Sequence, residues 1–405
     1  MPGLLRASLT LLAGGALAQA LPLLLGPLLT RLYTPAEFGV YQLFIAVAAN
    51  LAVVACGRYE FALPMARDEA EADRLRRLAL RIGAAVATVA LLAGTAWAVL
   101  RRQAWPLWLG PAVAALGLVS LATLWATRQQ RFREMAWARV LQHGGGAAGQ
   151  VLAGSWQAGV HGLIVAPLVA IAAATACLRL PLRPGDATGL RETAKQHRDF
   201  PLLNTPHAFA GALQDTLALV LLTAWLGPAA AGFWGLALRY LKAPATLVGG
   251  AVSQALYPRL TQQGPGATPA ARAAVRQVML ALGAAAALLV LVLWSAGPWL
   301  FARLFGPDWH DTGLLARALA LYVGAHFVAS PLAVVTMAWG AQAWALRLAL
   351  AGQVVFIAAL AAGLHWGGLA GAGWAVSLAM ALYFGFYFAR LATWPVSHPS
   401  TGDRS

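Results

Sequence analysis

Apolar and polar positions along this chain fall into long blocks, not into strict alternation. Twelve apolar blocks lie near residues 9–29, 38–63, 78–100, 106–126, 139–157, 161–179, 200–226, 231–257, 277–301, 313–338, 342–363 and 367–390. Each holds about 20 residues or more, enough at roughly 1.5 Å rise per residue to cross the hydrocarbon of a bilayer as a helix. Because the blocks are continuous, they exclude a transmembrane barrel, whose strands alternate. The pattern predicts an all-α polytopic membrane protein with about twelve transmembrane helices. Thr34-Pro35-Ala36-Glu37 has the form of a helix start, with Thr as cap, Pro at the first helical position and Glu three beyond the cap.

The first hairpin recurs at an offset of 193 residues. Leu28-Leu29-Thr30, Pro35-Ala36, Gly39, Gly57 and Ala62-Leu63 reappear as Leu221-Leu222-Thr223, Pro228-Ala229, Gly232, Gly250 and Ala255-Leu256. In so apolar a chain the Thr, Pro and Gly matches carry this argument. Two homologous halves of six spans each are expected, residues 1–180 and 200–391. They are joined by a polar, basic linker at 181–199 that serves as hinge, with a tail at 392–405. Six is an even number, so the halves share an orientation, related by a pseudo-two-fold axis along the membrane normal. Counting Lys and Arg in the connections puts 20 on the side holding both termini and 4 on the other. The termini are therefore expected to be cytoplasmic.

The chain is 60% hydrophobic, 11% charged and carries a formal net charge of +15. That charge sits in loops on one membrane face, which argues against nucleic-acid binding. Cys56 and Cys177 both fall in apolar blocks and make neither a disulfide framework nor a zinc site. Residues 1–18 imitate a secretory signal, but the apolar run continues to Leu29, so an uncleaved first helix is expected. Gly144 to Gly149 matches a dinucleotide fingerprint in form only, because no strand precedes it; close helix packing is the expected use of these glycines. There is no Walker A sequence and no convergent nucleophile or acid pair, so no enzyme activity, no bound cofactor and no metal are expected. Asp308, His310 and Asp311 cluster in an outer loop without the full ligand set of a metal site.

Polar residues inside the spans are costly and therefore informative. Asp215 in the seventh span and Lys242 in the eighth both lie roughly 16 Å below the outer edge, near mid-membrane. Arg239 is one turn above Lys242 on the same face. One reading is a cationic patch, balanced by Asp215, that lines a wet cavity and binds an anion such as pyrophosphate. The other is an ion pair that only fixes how the two spans pack. Arg58 near the inner end of span two, with Glu60, fits either a gate or a snorkelling pair. Arg317 and Arg347 face either the cavity or outward. Gln19, Asn50 and Asn204 offer the neutral hydrogen-bonding groups a glycan needs, as do His207, Gln214, Gln254 and His326. The alternative for each is interhelical bonding. Pro22, Pro27, Pro201 and Pro206 are expected to break the first span of each half.

Several segments together resemble one family. Thr30-Arg31-Leu32-Tyr33-Thr34-Pro35-Ala36-Glu37-Phe38-Gly39 followed by Gly57-Arg58-Tyr59-Glu60 resembles the first hairpin of Wzx-type oligosaccharide-lipid flippases. These are polysaccharide biosynthesis proteins of the multidrug/oligosaccharidyl-lipid/polysaccharide exporter superfamily. Arg131-Phe132-Arg133-Glu134-Met135-Ala136, Arg139-Val140-Leu141-Gln142, Asp199-Phe200-Pro201, Asn204-Thr205-Pro206 and the run Gly249 to Arg259 are similar to that family as well. The resemblance implies two six-helix lobes forming a V around a central cavity. It implies alternating access that carries undecaprenyl-pyrophosphate-linked glycan to the periplasmic leaflet of a bacterial inner membrane, for O-antigen, capsule or exopolysaccharide synthesis. It implies cationic residues in the cavity that meet the pyrophosphate, a role that Arg239 and Lys242 suit by their depth, and membrane lipids, a polysaccharide polymerase and assembly proteins as partners. The expected drive is a coupling ion, proton or sodium, or else the membrane potential; the sequence does not choose between them. The rivals are a drug or metabolite antiporter of the same superfamily and a membrane polysaccharide polymerase or ligase. The short outer connections weigh against the enzyme.

Overall fold

A computed structural model describes residues 2–182, 188–262 and 266–395. Among the described residues the fold is helical, without a strand. The first helices are α1 (Pro2–Leu32), α2 (Pro35–Ala55), α3 (Glu69–Arg101), α4 (Leu109–Arg128), α5 (Phe132–Val140), α6 (Gly146–Ser155), α7 (Gly159–Cys177) and the short α8 (Leu190–Gln196). They are followed by α9 (Thr205–Leu226), α10 (Pro228–Leu241), α11 (Ala243–Thr261), α12 (Pro269–Phe305), α13 (His310–Ala318), α14 (Ala320–Ala338) and α15 (Gln342–Ala392). Among the described residues eight helical stretches are long and apolar enough to cross a membrane. One of these, α15, contains two expected spans, divided where Gly367 and Gly368 leave helical geometry. Two further expected spans are interrupted helices, and the seventh is α9, continuous over 22 residues. A π turn at Leu141–Gly145 joins α5 to α6, another at Phe200–Asn204 precedes α9, and α10 gives way to α11 at Lys242.

Local chemistry explains the boundaries. Thr34 caps α2 by accepting from the Glu37 N–H, and the Glu37 carboxylate accepts from the Thr34 N–H at 2.8 Å, with Pro35 as the first helical residue. The repeat counterpart Pro228 likewise opens α10. Span two ends earlier than its hydropathy predicts. Gly57 (φ 58°) and Arg58 (φ 62°) are both left-handed, so the chain leaves α2 and re-enters as a 3₁₀ turn, Tyr59–Met65. The expected breaks at Pro22 and Pro27 do not appear, since α1 runs through both; Pro201 falls in the π turn before α9, while Pro206 is the second residue of α9 itself.

The chain divides into two compact units, residues 1–220 and 221–405, with the division inside α9. In the first unit α1 packs on α5 and α6. The glycine run makes close packing possible: a Cβ at Gly144 would stand 2.5 Å from Leu21 Cδ1 of α1, and one at Gly149 would stand 3.1 Å from Ala166 Cβ of α7. The Tyr33 hydroxyl donates to Gln150 O at 2.7 Å, and Gln150 donates to Leu163 O at 2.8 Å, tying α1 to α6 and α7.

The linker expected to hinge is fastened where it is described. The Glu71 carboxylate, at the charged start of α3, accepts from Gln196 Nε2 at 3.1 Å, lies 2.9 Å from His197 Nε2 and accepts from the Arg67 N–H at 2.7 Å. The Tyr59 hydroxyl donates to Ala194 O. Arg183, and with it 183–187, lies outside the described residues, as does the tail from 396. In the second unit α11, α12, α14 and α15 enclose one core of Leu256, Leu282, Phe327, Leu332, Val335 and Tyr387. The two arms of α15 meet closely, because Gly363 and Gly371 have no side chain to keep their backbones apart.

Candidate functional site

The break between α10 and α11 places the two cations of the second unit. Pro244 has no N–H to give to a preceding carbonyl, so the helix cannot continue unbent past Leu241. Lys242 sits at that junction, half-buried, with its own N–H still donating to Leu238 O at 3.0 Å. Arg239, one turn earlier, is also half-buried. The Lys242 ammonium lies 5.7 Å from the centre of the Tyr322 ring, a contact worth about 0.5–2 kcal/mol depending on desolvation. His326, one turn on from Tyr322, lies within electrostatic reach of Lys242 and packs on Tyr322 and Phe384.

Tyr322 itself is fixed by its neighbours. Its N–H falls at the break between α13 and α14 and donates to the Ser377 hydroxyl at 3.2 Å, which replaces the missing helical partner. Its ring stacks on Phe384 at 6.5 Å, and Phe384 stacks on Phe388 at 6.2 Å. Tyr383 and Tyr387 point their hydroxyls to Leu348 O and Leu332 O. The result is an aromatic wall whose Tyr322 face lies beside Lys242. Sequence reading named His326 but missed the wall. Its signal was the i, i+4 pairing of Tyr383 with Tyr387 and of Phe384 with Phe388, submerged in a uniformly apolar stretch.

Except for Arg317 and Arg347, the expected residues taken next belong to the first unit. Asp215 is exposed on α9 and, among the described residues, has no ion pair or hydrogen bond. Its neighbour Thr216 is buried and faces α2. There Asn50, 6% exposed, donates to the Thr216 hydroxyl, to Ala212 O at 3.1 Å and to Ala46 O at 3.2 Å. Asn50 thus holds α9 on α2, while its Oδ1 is buried without a partner. Gln19 and Asn204 are exposed. The Arg58 guanidinium lies 4.7 Å over the Phe61 ring, and its Nε is buried without a partner. The His207 side chain lies outside the described residues. Arg317 is half-buried with an unpartnered Nε, and Arg347 is exposed. Of the seven expected residues, then, Arg239 and Lys242 share one unit, at the end of α10 and the break after it, while Asp215, Arg58, Asn50, Asn204 and Gln19 lie in the other.

Among the described residues no three His, Cys, Asp or Glu side chains converge as a metal site. His310 Nδ1 lies 3.8 Å from Asp311. The chemistry on offer at the α10–α11 break is recognition of an anion by two positive charges against an aromatic surface.

Comparisons with known proteins agree with this architecture. The solved lipid II flippase MurJ, in an inward closed conformation, superposes with a TM-score of 0.70 at 10% identity, over 96% of this chain and 90% of that one. An inward-facing multidrug resistance MATE family transporter of the MOP superfamily superposes with a TM-score of 0.63 at 15% identity, over 93% and 96%. The Vibrio cholerae MATE transporter VcmN in its bent form gives 0.52 at 15% identity, over 97% and 98%. At these identities the likeness shows a shared fold. No curated protein sequence matches the chain. A family profile described as polysaccharide biosynthesis protein matches residues 28–313, most of the length, and the chain belongs to that family.

Proposed function

We propose that this protein is a flippase for an undecaprenyl-pyrophosphate-linked oligosaccharide, moving it from the cytoplasmic to the periplasmic leaflet of a bacterial inner membrane by alternating access. A glycan joined to a pyrophosphate cannot cross hydrocarbon unaided, because its polar groups lose their water. A polar path that opens to each side in turn removes that barrier without making or breaking a covalent bond. The observation that carries the reading is the placement of Arg239 and Lys242 together at a helix break in a polysaccharide biosynthesis protein. Two cations three residues apart suit an anionic group such as pyrophosphate. The fold shared with a protein named as a lipid II flippase supports the same reading.

In this reading Arg239 and Lys242 meet the pyrophosphate, and Tyr322 keeps the ammonium aimed. Both termini are cytoplasmic, and a polysaccharide polymerase receives the product. The test is export in cells whose own gene is deleted. Arg239→Ala and Lys242→Ala should each reach the membrane at the normal level yet leave surface polysaccharide strongly reduced. Normal surface polysaccharide in both would remove the site. A resistance phenotype towards cationic drugs, with polysaccharide unaffected, would replace the substrate class with that of a drug antiporter.

A further inference from the structure

The first unit carries an apolar groove of about 400 Å³ between α4 and α7. Pro111, Ala114 and Leu118 line it from α4, Ala172 and Ala176 from α7, and Leu182 from the segment beyond. Thr175 also reaches it, but its hydroxyl donates to Ile171 O at 2.8 Å inside α7. The groove therefore offers an occupant no hydrogen bond, which suits hydrocarbon. Its α4 residues lie off the packed face of that helix, where Gly110 meets Leu91 of α3 and Gly117 meets Ala55 of α2. Pro111, Ala172 and Ala176 are exposed, and around spans this apolar the surrounding medium is lipid.

One end of the groove is fastened and charged. Pro181 O accepts from Arg76 of α3, itself 3% exposed, which holds Leu180 and Leu182 in place. At the same end α7 stops at Cys177, and Arg179 takes a left-handed conformation (φ 49°). Glycine is the usual residue at such a position, so an arginine there carries backbone strain. Capping does not explain the arginine, because Arg131 already donates to Leu178 O at 2.8 Å. The Arg179 side chain is exposed and, among the described residues, has no hydrogen bond or ion pair. The count of Lys and Arg assigns this end of α7 to the cytoplasmic side, where inner-leaflet headgroups lie.

We propose that this groove binds one acyl chain of an anionic phospholipid, with Arg179 against the phosphate of its headgroup. Size supports a single acyl chain. A methylene is about as large as a water molecule, which takes about 30 Å³ in the liquid, so the groove holds about 13 carbons. The far longer undecaprenyl chain would leave most of its length outside. Charge supports an anionic headgroup, since basic pockets between spans on the cytoplasmic side recognise acidic lipids. The bound lipid ties together α4, α7 and the chain that leads on to α8. The site does not rest on the transport reading.

The test is photo-crosslinking of the full-length protein in detergent by phosphatidylglycerol with a diazirine in one acyl chain. The labelled peptides are then mapped, and in the wild type they should come from α4 and α7. Unlabelled phosphatidylglycerol should compete about fivefold better than phosphatidylcholine, the ratio expected for one cation at the headgroup. Arg179→Gly suits the left-handed backbone, so its thermal midpoint should hold or rise while that preference disappears. Arg179→Lys should keep the preference. Ala176→Leu fills the groove and should cut labelling several-fold; if it does not fold, Ala172→Leu gives the same reading. Label outside α4 and α7, equal competition by the two lipids, or an undiminished preference in Arg179→Gly would overturn the proposal. Competition by a polyprenyl pyrophosphate at lower concentration than phosphatidylglycerol would overturn it too, and give the groove to the carrier chain. A wild-type dimer that Ala176→Leu splits would overturn it in favour of a second copy of the chain.

Discussion

Replacing Glu71 with alanine should release α8 from α3 and expose the connection to protease. In the native protein Gln196 and His197 both bond to the Glu71 carboxylate, which is 5% exposed, and the Arg67 N–H bonds to it as well. Two of these three contacts come from the α8 segment and are lost when it lifts. Hydrogen bonds to a charged group contribute about 1.5–3 kcal/mol each, and the freed Gln196 and His197 regain water, so the net loss is about 2 kcal/mol. At 1.4 kcal/mol per factor of ten, that makes the open form about 30-fold more populated. Trypsin cuts after Arg191, Lys195 and Arg198 when this segment unfolds locally. The assay is the initial rate of cleavage at these sites in the intact, detergent-solubilised protein. A rate equal to wild type would refute the reasoning, since it would mean that the carboxylate does not hold the segment. Acid should reproduce the effect. The Arg67 N–H, then His197, hold the Glu71 carboxyl below the usual carboxylate range. A lowered native value gives stability that is fully present above the unfolded value, about 4.3. That stability is lost as pH falls through the native value, so protection should persist at neutral pH and fail in strong acid.

Tyr322→Leu removes the ring under Lys242 but keeps an apolar side chain; with about 0.5–2 kcal/mol at stake, export should fall several-fold while expression holds. Gly363→Ala places a Cβ 2.5 Å from Gly371 O and 2.6 Å from Ala372 Cα, both backbone atoms that cannot step aside. The cost is about 1–3 kcal/mol, read as a lower thermal midpoint in detergent. Thr34→Ala removes the cap of α2 and should cost about 1 kcal/mol by the same measurement. A phosphatase fused after Ser405 should be inactive, as both termini are expected to be cytoplasmic.

The legible parts of the fold were those governed by one strong rule. Twelve long apolar stretches became helical because hydrocarbon forces the backbone to satisfy itself, whatever the side chains. The cap at Thr34 was readable because three residues each do one recognisable thing. The end of α2 was not, since hydropathy continues through Ala62 and Leu63 while the backbone has already turned at Gly57 and Arg58. Asn50 shows the limit for candidate site residues. An amide in a span reads the same whether it faces water or a neighbouring carbonyl, and here it bonds to Ala212 O and Thr216. The aromatic wall behind Lys242 was hidden because Tyr and Phe count as apolar in any hydropathy reading. Only packing separates Tyr322 and Phe384, which flank a cation, from Trp344, which stacks on Tyr387 in the core.

The most direct test is translocation by the purified protein in liposomes, followed with a fluorescent polyprenyl-pyrophosphate-linked oligosaccharide and a quencher added outside. Wild type should exchange the probe between leaflets, and the Arg239→Ala, Lys242→Ala double variant should not. Equal rates in the two proteins, or no movement by wild type above empty liposomes, would contradict the account.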